Sequence, residues 1–287
     1  MFTDFFLSPN GESLRHSTIA TLVSSFLLGD SEFKKVCLRY VDMRKNFNRY
    51  TYDEWDKITE SEVWTFSSGV TPYKDFDDTT NIPIPINNPI IQQISDKAVT
   101  SLDLPTWFSP SNPRHWIMIL SQDPMPRSNW YDDCRDAVCS SPFGLHGKSW
   151  REKVNGGGRI WGLVQNLIRK GIGVYLTDIR KFYFRTPDDA STFIAPTEEI
   201  EAIYKSMLSE EIAIVQPDLI VTLGNQSASV LSKMGLSDSI QILNLPHFSG
   251  QAQGKIKEYF NVPQNHQFTI EEQIKAYTDN IINKLYE

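Results

Sequence analysis

The chain has 287 residues, 40% of them hydrophobic and 12% aromatic, and a formal net charge of −7. This composition excludes a disordered or fibrous chain and allows one large or two small globular domains. The negative balance excludes a surface coated in basic residues for indiscriminate nucleic-acid binding, but leaves room for a local basic groove. The three cysteines, Cys37, Cys134 and Cys139, are too few for a disulfide framework or a four-cysteine metal centre, so free thiols are expected. None of the five histidines pairs with another at helical spacing, and no metal or cofactor is expected.

Residues 1 to about 70 read as helical. Gly11-Glu12-Ser13 opens a helix running to Leu28, Ser31-Glu32-Phe33 opens a second, and Thr51-Tyr52-Asp53-Glu54 carries acids in a first turn. The apolar stretch from Ser17 to Gly29 is too short to span a bilayer and reads as a core helix, which points to a cytoplasmic protein without membrane attachment. Arg39, Arg44, Lys45 and Arg49 form a small basic run that a solvated helix face explains. Residues 68 to 113 are rich in proline and turns, with a helix expected near Ile90 to Val99. Residues 1–110 thus form a helical extension and proline-rich linker, and residues 111–287 an α/β domain.

In that domain Ile117-Met118-Ile119-Leu120 is an unbroken apolar run, the pattern of a buried parallel strand. It stops at Gln122-Asp123-Pro124, because proline cannot donate to a sheet ladder. A loop to about Lys153 follows. Gly156-Gly157-Gly158 lacks the spacing of a phosphate cradle and reads as loop, leading into an amphipathic helix from Arg159 to Lys170. Gly173 to Asp178 is a second strand, Thr197 to Val215 a helix, and Asp218 to Gly224 a third strand that hands over to a helix at Asn225. Gln241 to His247 is a fourth strand, and Ile270 to Tyr286 the last helix. Strands alternating with helices imply a mostly parallel central sheet with helices on both faces.

Three of these strands carry a polar group to their carboxyl ends: Asp123, Asp178 and His247. An isolated Asp-Pro is more often a plain turn, and a single histidine more often a core residue. Three such groups at one edge of a parallel sheet make a candidate site.

With these motifs in order, the sequence resembles the uracil-DNA glycosylase superfamily over roughly Trp116 to Phe260. Ile119-Leu120-Ser121-Gln122-Asp123-Pro124 is similar to that family's first motif, Gly-Gln-Asp-Pro-Tyr-His. Gly173 to Asp178 resembles the strand ending in its base-reading asparagine. Ile220 to Ala228 resembles its penultimate strand and glycine turn, and Leu245-Pro246-His247-Phe248-Ser249 its His-Pro-Ser motif. The resemblance implies a DNA glycosylase that cleaves an N-glycosidic bond of a flipped-out base and leaves an abasic site. Asp123 would position the attacking water and stabilise the cationic sugar. His247 would hydrogen-bond O2 of the departing base, and Ser249 would hold a phosphate. Gln122, Met125, Asp178, Cys139 and Phe143 would form the base-recognition set, with Trp130 a substitute for the stacking aromatic. Gln251 aligns with the family's wedge leucine. Ser249, Gln251, Arg127, Arg180, Lys181 and Lys255, together with Arg185 and Lys257, would line a DNA groove.

The departures give the substrate a direction. Met125 stands where the family's tyrosine blocks carbon 5 of the pyrimidine, and Pro126 replaces its histidine. Asp178 stands at the base-reading asparagine. An ionised Asp178 offers only acceptors, which suits the amine of cytosine or a cytosine protonated at N3; a neutral one accepts from the amine and donates to N3. The expected substrate is a 5-substituted cytosine, hydroxymethyl or glucosylated, in phage DNA, which implies antiviral defence. The alternatives are a uracil-repair enzyme with Asp178 protonated, a catalytically idle DNA- or modified-base-binding module, and a nucleotide-binding or hydrolytic α/β domain whose motifs match by chance.

Overall fold

The computed structural model describes residues 82–84, 99–103, 106–108, 110, 113–124, 137–140, 142–144, 158–186, 189–193, 195, 197–234 and 240–287. The helices expected in residues 1 to 70, and Met125, Arg127 and Trp130, lie outside the described residues.

The central sheet has five strands. Four are parallel and match the apolar runs: β4 (His115–Ser121), β6 (Ile172–Asp178), β9 (Leu219–Leu223) and β10 (Gln241–Leu245). The fifth, β3 (Thr106–Phe108), is an antiparallel edge, giving the order β10-β9-β4-β6-β3. The sheet therefore begins before residue 111. Every residue of β6 and of β9 is buried, as the continuous apolar runs require of strands covered on both faces.

A second sheet, absent from the sequence reading, has the order β1-β5-β2-β7-β8. Its strands are β1 (Ile82–Ile84), β2 (Val99–Asp103), β5 (Ala137–Ser140), β7 (Phe182–Thr186) and β8 (Asp189–Phe193). Val99 is thus a strand residue and does not end a helix, and the loop expected after Gln122 contains β5 and a short turn over Pro142–Gly144. Two of the passages between the sheets, from β2 to β3 and from β6 to β7, take only two or three residues each.

Among the described residues, five α-helices follow the alternation: α1 (Gly158–Arg169), α2 (Glu198–Val215), α3 (Asn225–Lys233), α4 (Gln253–Tyr259) and α5 (Ile270–Leu285). Thr197 caps α2 by accepting from the amide of Ile200, and Thr269 and Glu272 form a capping box at α5. The apolar stripe of α1, including Leu163, Val164 and Leu167, is buried in the core. α1 packs on α5 and β6. Gly162 permits that approach, since a Cβ there would lie 2.5 Å from Cδ1 of Ile274. No helix among the described residues is long and apolar enough to cross a membrane.

Candidate active site

Parallel strands place all their carboxyl ends at one edge, so β4, β6 and β10 deliver Asp123, Asp178 and His247 to the same edge of the sheet. Ser121, the last residue of β4, lies opposite Asp178, the last of β6. The ladder continues past them: the amides of Ile179 and Arg180 donate to the carbonyls of Ser121 and Gln122, both at 3.0 Å. The chain around the two aspartates is thereby held by backbone hydrogen bonds.

The Asp123 side chain is largely buried. Nε2 of Gln122 donates to its Oδ2 at 2.8 Å, and Nη1 of Arg180 lies 3.9 Å away. Burial pushes this carboxyl above the usual carboxylate range, while Arg180 and Gln122 oppose the rise. Arg180 also pairs with Glu201 at 3.3 Å. Asp178 is more deeply buried, at 3% exposure. Its carboxyl is pushed well up, first by burial and then by the neighbouring charges of Asp103 and Asp123; Lys181 and Ser121 act the other way. Burial and these neighbouring charges favour the protonated form of Asp178, which carries one donor and one acceptor.

His247 follows β10. Its Nδ1 accepts from the amide of Ser249 at 3.1 Å, and burial holds its pKa below the usual histidine value. The neutral ring thus carries its proton on Nε2. Gly224 ends β9 with φ of +94°, a conformation that favours glycine, and its amide donates to the carbonyl of Leu245 at 2.7 Å. A Cβ on Gly224 would stand 3.5 Å from Cβ of His247, so the glycine turn and the histidine loop pack directly together. The loop is held from behind: Tyr277 donates its hydroxyl to the carbonyl of Pro246, Arg159 donates to that of Phe248, both at 2.8 Å, and Phe248 stacks on Tyr277.

Phe143 stands beside this histidine, with ring centroids 6.2 Å apart and planes 30° from parallel. Its backbone has φ of +58°, uncommon for an aromatic residue and a form of strain often found at functional sites.

Residues 106–271 match the model of the Uracil DNA glycosylase superfamily. The chain belongs to that superfamily. No curated protein matches it. Superfamily membership makes DNA glycosylase chemistry, hydrolysis at an N-glycosyl bond of DNA, the class of activity that this fold carries.

Of the residues expected at the site of this glycosylase-superfamily chain, Lys181 takes another place. Lys181 does not face a DNA groove. It is 1% exposed and is paired with Asp103 at 3.3 Å and Glu211 at 2.6 Å. Its ammonium compensates two buried carboxylates, so no charge is presented to a phosphate. Arg180 is engaged by Asp123 and Glu201, and Nζ of Lys257 donates to the carbonyl of Gln264 at 2.8 Å. Gln251 and Lys255 are exposed, and Ser249 is half-buried. Cys139 lies in β5, paired in register with Ile82 and Leu102, and Arg185 lies in β7. Among the described residues no group of three or more histidines, cysteines or acids is arranged to hold a metal.

The sequence reading missed Asp103, Glu211 and Tyr175. Asp103 carried a usable signal: like Asp123, it is an acid at a strand end shortly before a proline, Pro105. The proline-rich texture around it had suggested only a linker.

Proposed function

We propose that this protein excises a flipped-out, 5-substituted cytosine, hydroxymethyl or glucosylated, from phage DNA and so serves antiviral defence. The observation that carries the substrate reading is Asp178, a carboxyl buried at the end of β6 and crowded by two further acids. As a neutral acid it accepts from the exocyclic amine of cytosine and donates to N3. The target base leaves the stack to reach the sheet edge, and Phe143 offers its ring as a stacking surface beside His247. Asp123, in its ionised form, orients a water toward C1′ and stabilises the positive charge that grows on the sugar as the C1′–N1 bond breaks. The electron pair of that bond leaves with the base. His247, neutral and protonated on Nε2, donates to O2, where the negative charge collects. The water proton passes to Asp123 or solvent, and the products are the free base and an abasic sugar. Met125, opposite carbon 5 by its place in the motif, gives the substituent room.

Uracil is the second reading, and the same observation favours it: a neutral Asp178 also donates to O4 and accepts from N3–H, as asparagine does. The experiment is a set of oligonucleotides carrying uracil, thymine, cytosine, 5-hydroxymethylcytosine and glucosylated hydroxymethylcytosine, scored for alkali-labile abasic sites. Excision of the substituted cytosines supports the first reading and excision of uracil alone the second. Binding without any excision identifies an idle module and refutes both.

A further inference from the structure

Behind Asp178 lies a buried charge cluster that the reaction above does not use. Asp103, at the end of β2, sits where the two short passages between the sheets, β2 to β3 and β6 to β7, come together. Its amide donates to the carbonyl of Lys181 at 2.9 Å. Its Oδ2 accepts from Oγ1 of Thr177 at 2.5 Å, from the amide of Asp178 at 2.9 Å and from Nζ of Lys181 at 3.3 Å. Lys181 also donates to Thr177 and pairs with Glu211, which accepts from the hydroxyl of Tyr175 at 3.3 Å. Asp103, Lys181 and Glu211 are all at most 1% exposed.

A cluster that only tied the sheets together would balance its charge. This one does not: the single ammonium of Lys181 serves both Asp103 and Glu211, with the carboxyl of Asp178 beside them. The second oxygen of Asp103, Oδ1, is buried without a hydrogen-bond partner among the described residues. Water does not screen these groups, so the two carboxylates that share the ammonium work against ionisation of the third carboxyl, Asp178.

We propose that Asp103 is a positioning and specificity residue: anchored by Lys181, Thr177 and the Asp178 amide, its charge keeps the proton on Asp178 and so sets which base edge the site accepts. The inference rests on the reading of Asp178 as the base-contacting group. Among the described residues, the charged and titratable neighbours of Asp178 are Asp103 from β2, Asp123 beyond β4 and Lys181 from the turn after β6; Glu211 of α2 and Arg180 act through Lys181 and Asp123. Asp103→Asn keeps an oxygen for the Thr177 and Asp178 donors and removes the charge. Glu211→Gln leaves Lys181 less neutralised. Both changes let Asp178 lose its proton at lower pH.

The test is a carboxyl-carbon NMR titration of the full chain labelled at aspartate, with the Asp178 signal assigned by its loss in Asp178→Asn. Excision is measured against pH in parallel. The Asp178 midpoint is expected to fall by about one to three pH units in Asp103→Asn, and by less in Glu211→Gln. The alkaline limb of excision should move with it and be absent in Asp178→Asn. A folded Asp103→Asn with an unmoved midpoint overturns the proposal. If Asp103→Asn does not fold, Glu211→Gln decides by the same reading, and unfolding of both assigns the cluster to stability alone and overturns it. A shifted midpoint without excision of any base refutes the glycosylase reading and leaves the assignment of Asp103 standing.

Discussion

The backbone amide of Ser249 donates to Nδ1 of His247 at 3.1 Å, and this hydrogen bond leaves the proton of the neutral imidazole on Nε2. Ser249 has φ of −62°, a value proline adopts without strain. Ser249→Pro therefore deletes the donor while keeping the local backbone angle. It should slow excision, whereas Ser249→Ala, which keeps the amide, should act only through DNA affinity. His247→Ala sets the scale, with an expected loss of about 10²–10³ in rate. Single-turnover excision by the three variants, with circular dichroism as a check on the fold, makes the comparison. Equal rates in Ser249→Pro and Ser249→Ala would show that the amide does not orient the ring.

The pair Asp123–Arg180 is expected to set the acid side of the pH profile. In the proposed mechanism Asp123 acts ionised, so activity is expected to fall as pH drops through its folded pKa, which burial has raised and Arg180 holds down. Removing Arg180 raises that pKa further. The acid limb of Arg180→Gln should therefore lie at higher pH than in the wild type, and Asp123→Asn should lose about 10²–10³ in rate at every pH. An acid limb that stays in place would mean that Asp123 is not the titrating group.

Asp178→Asn should shift base choice toward uracil. A neutral carboxyl can exchange donor and acceptor between its two oxygens, and an amide has them fixed. A site built to hydrogen-bond one edge rejects the mismatched edge, because buried polar groups are left unpaired. Met125→Tyr should separately suppress excision of bulky 5-substituted bases. The measurement is the ratio of rates on uracil and on a 5-substituted cytosine in wild type, both single variants and the double variant. A ratio unchanged throughout would remove both residues from base recognition.

Lys181→Met should destabilise the fold by about 3–5 kcal/mol at neutral pH, since it strands two buried carboxylates. Asp103 and Glu211 both have carboxyls raised by burial and held down by Lys181. Without Lys181 their folded pKa values rise further, so the folded state binds more protons than the unfolded one and stability grows as pH falls. The deficit measured by denaturant unfolding should shrink on acidification. A deficit independent of pH would argue for lost packing instead of stranded charge.

The strands β4 and β9 were legible in the sequence because a strand buried on both faces must be mostly apolar along its length. Ile117 to Leu120 and Leu219 to Leu223 read that way with no knowledge of their neighbours. The stops at Pro124 and Gly224 are equally local, one through a missing amide and the other through a positive φ. The acids at the ends of β4 and β6 followed from those stops. Tertiary structure alone decided the rest. The second sheet pairs short strands far apart in sequence, such as β1 with β5, and no local period announces such pairing. Phe143 comes beside His247 across about a hundred residues of chain, through a turn whose strain the sequence does not display. Lys181 has the residue type of a groove lysine. It became a buried counterion because β2 brings Asp103 and α2 brings Glu211 to it, and the solvation of a charge is a property of what surrounds it, not of the side chain itself.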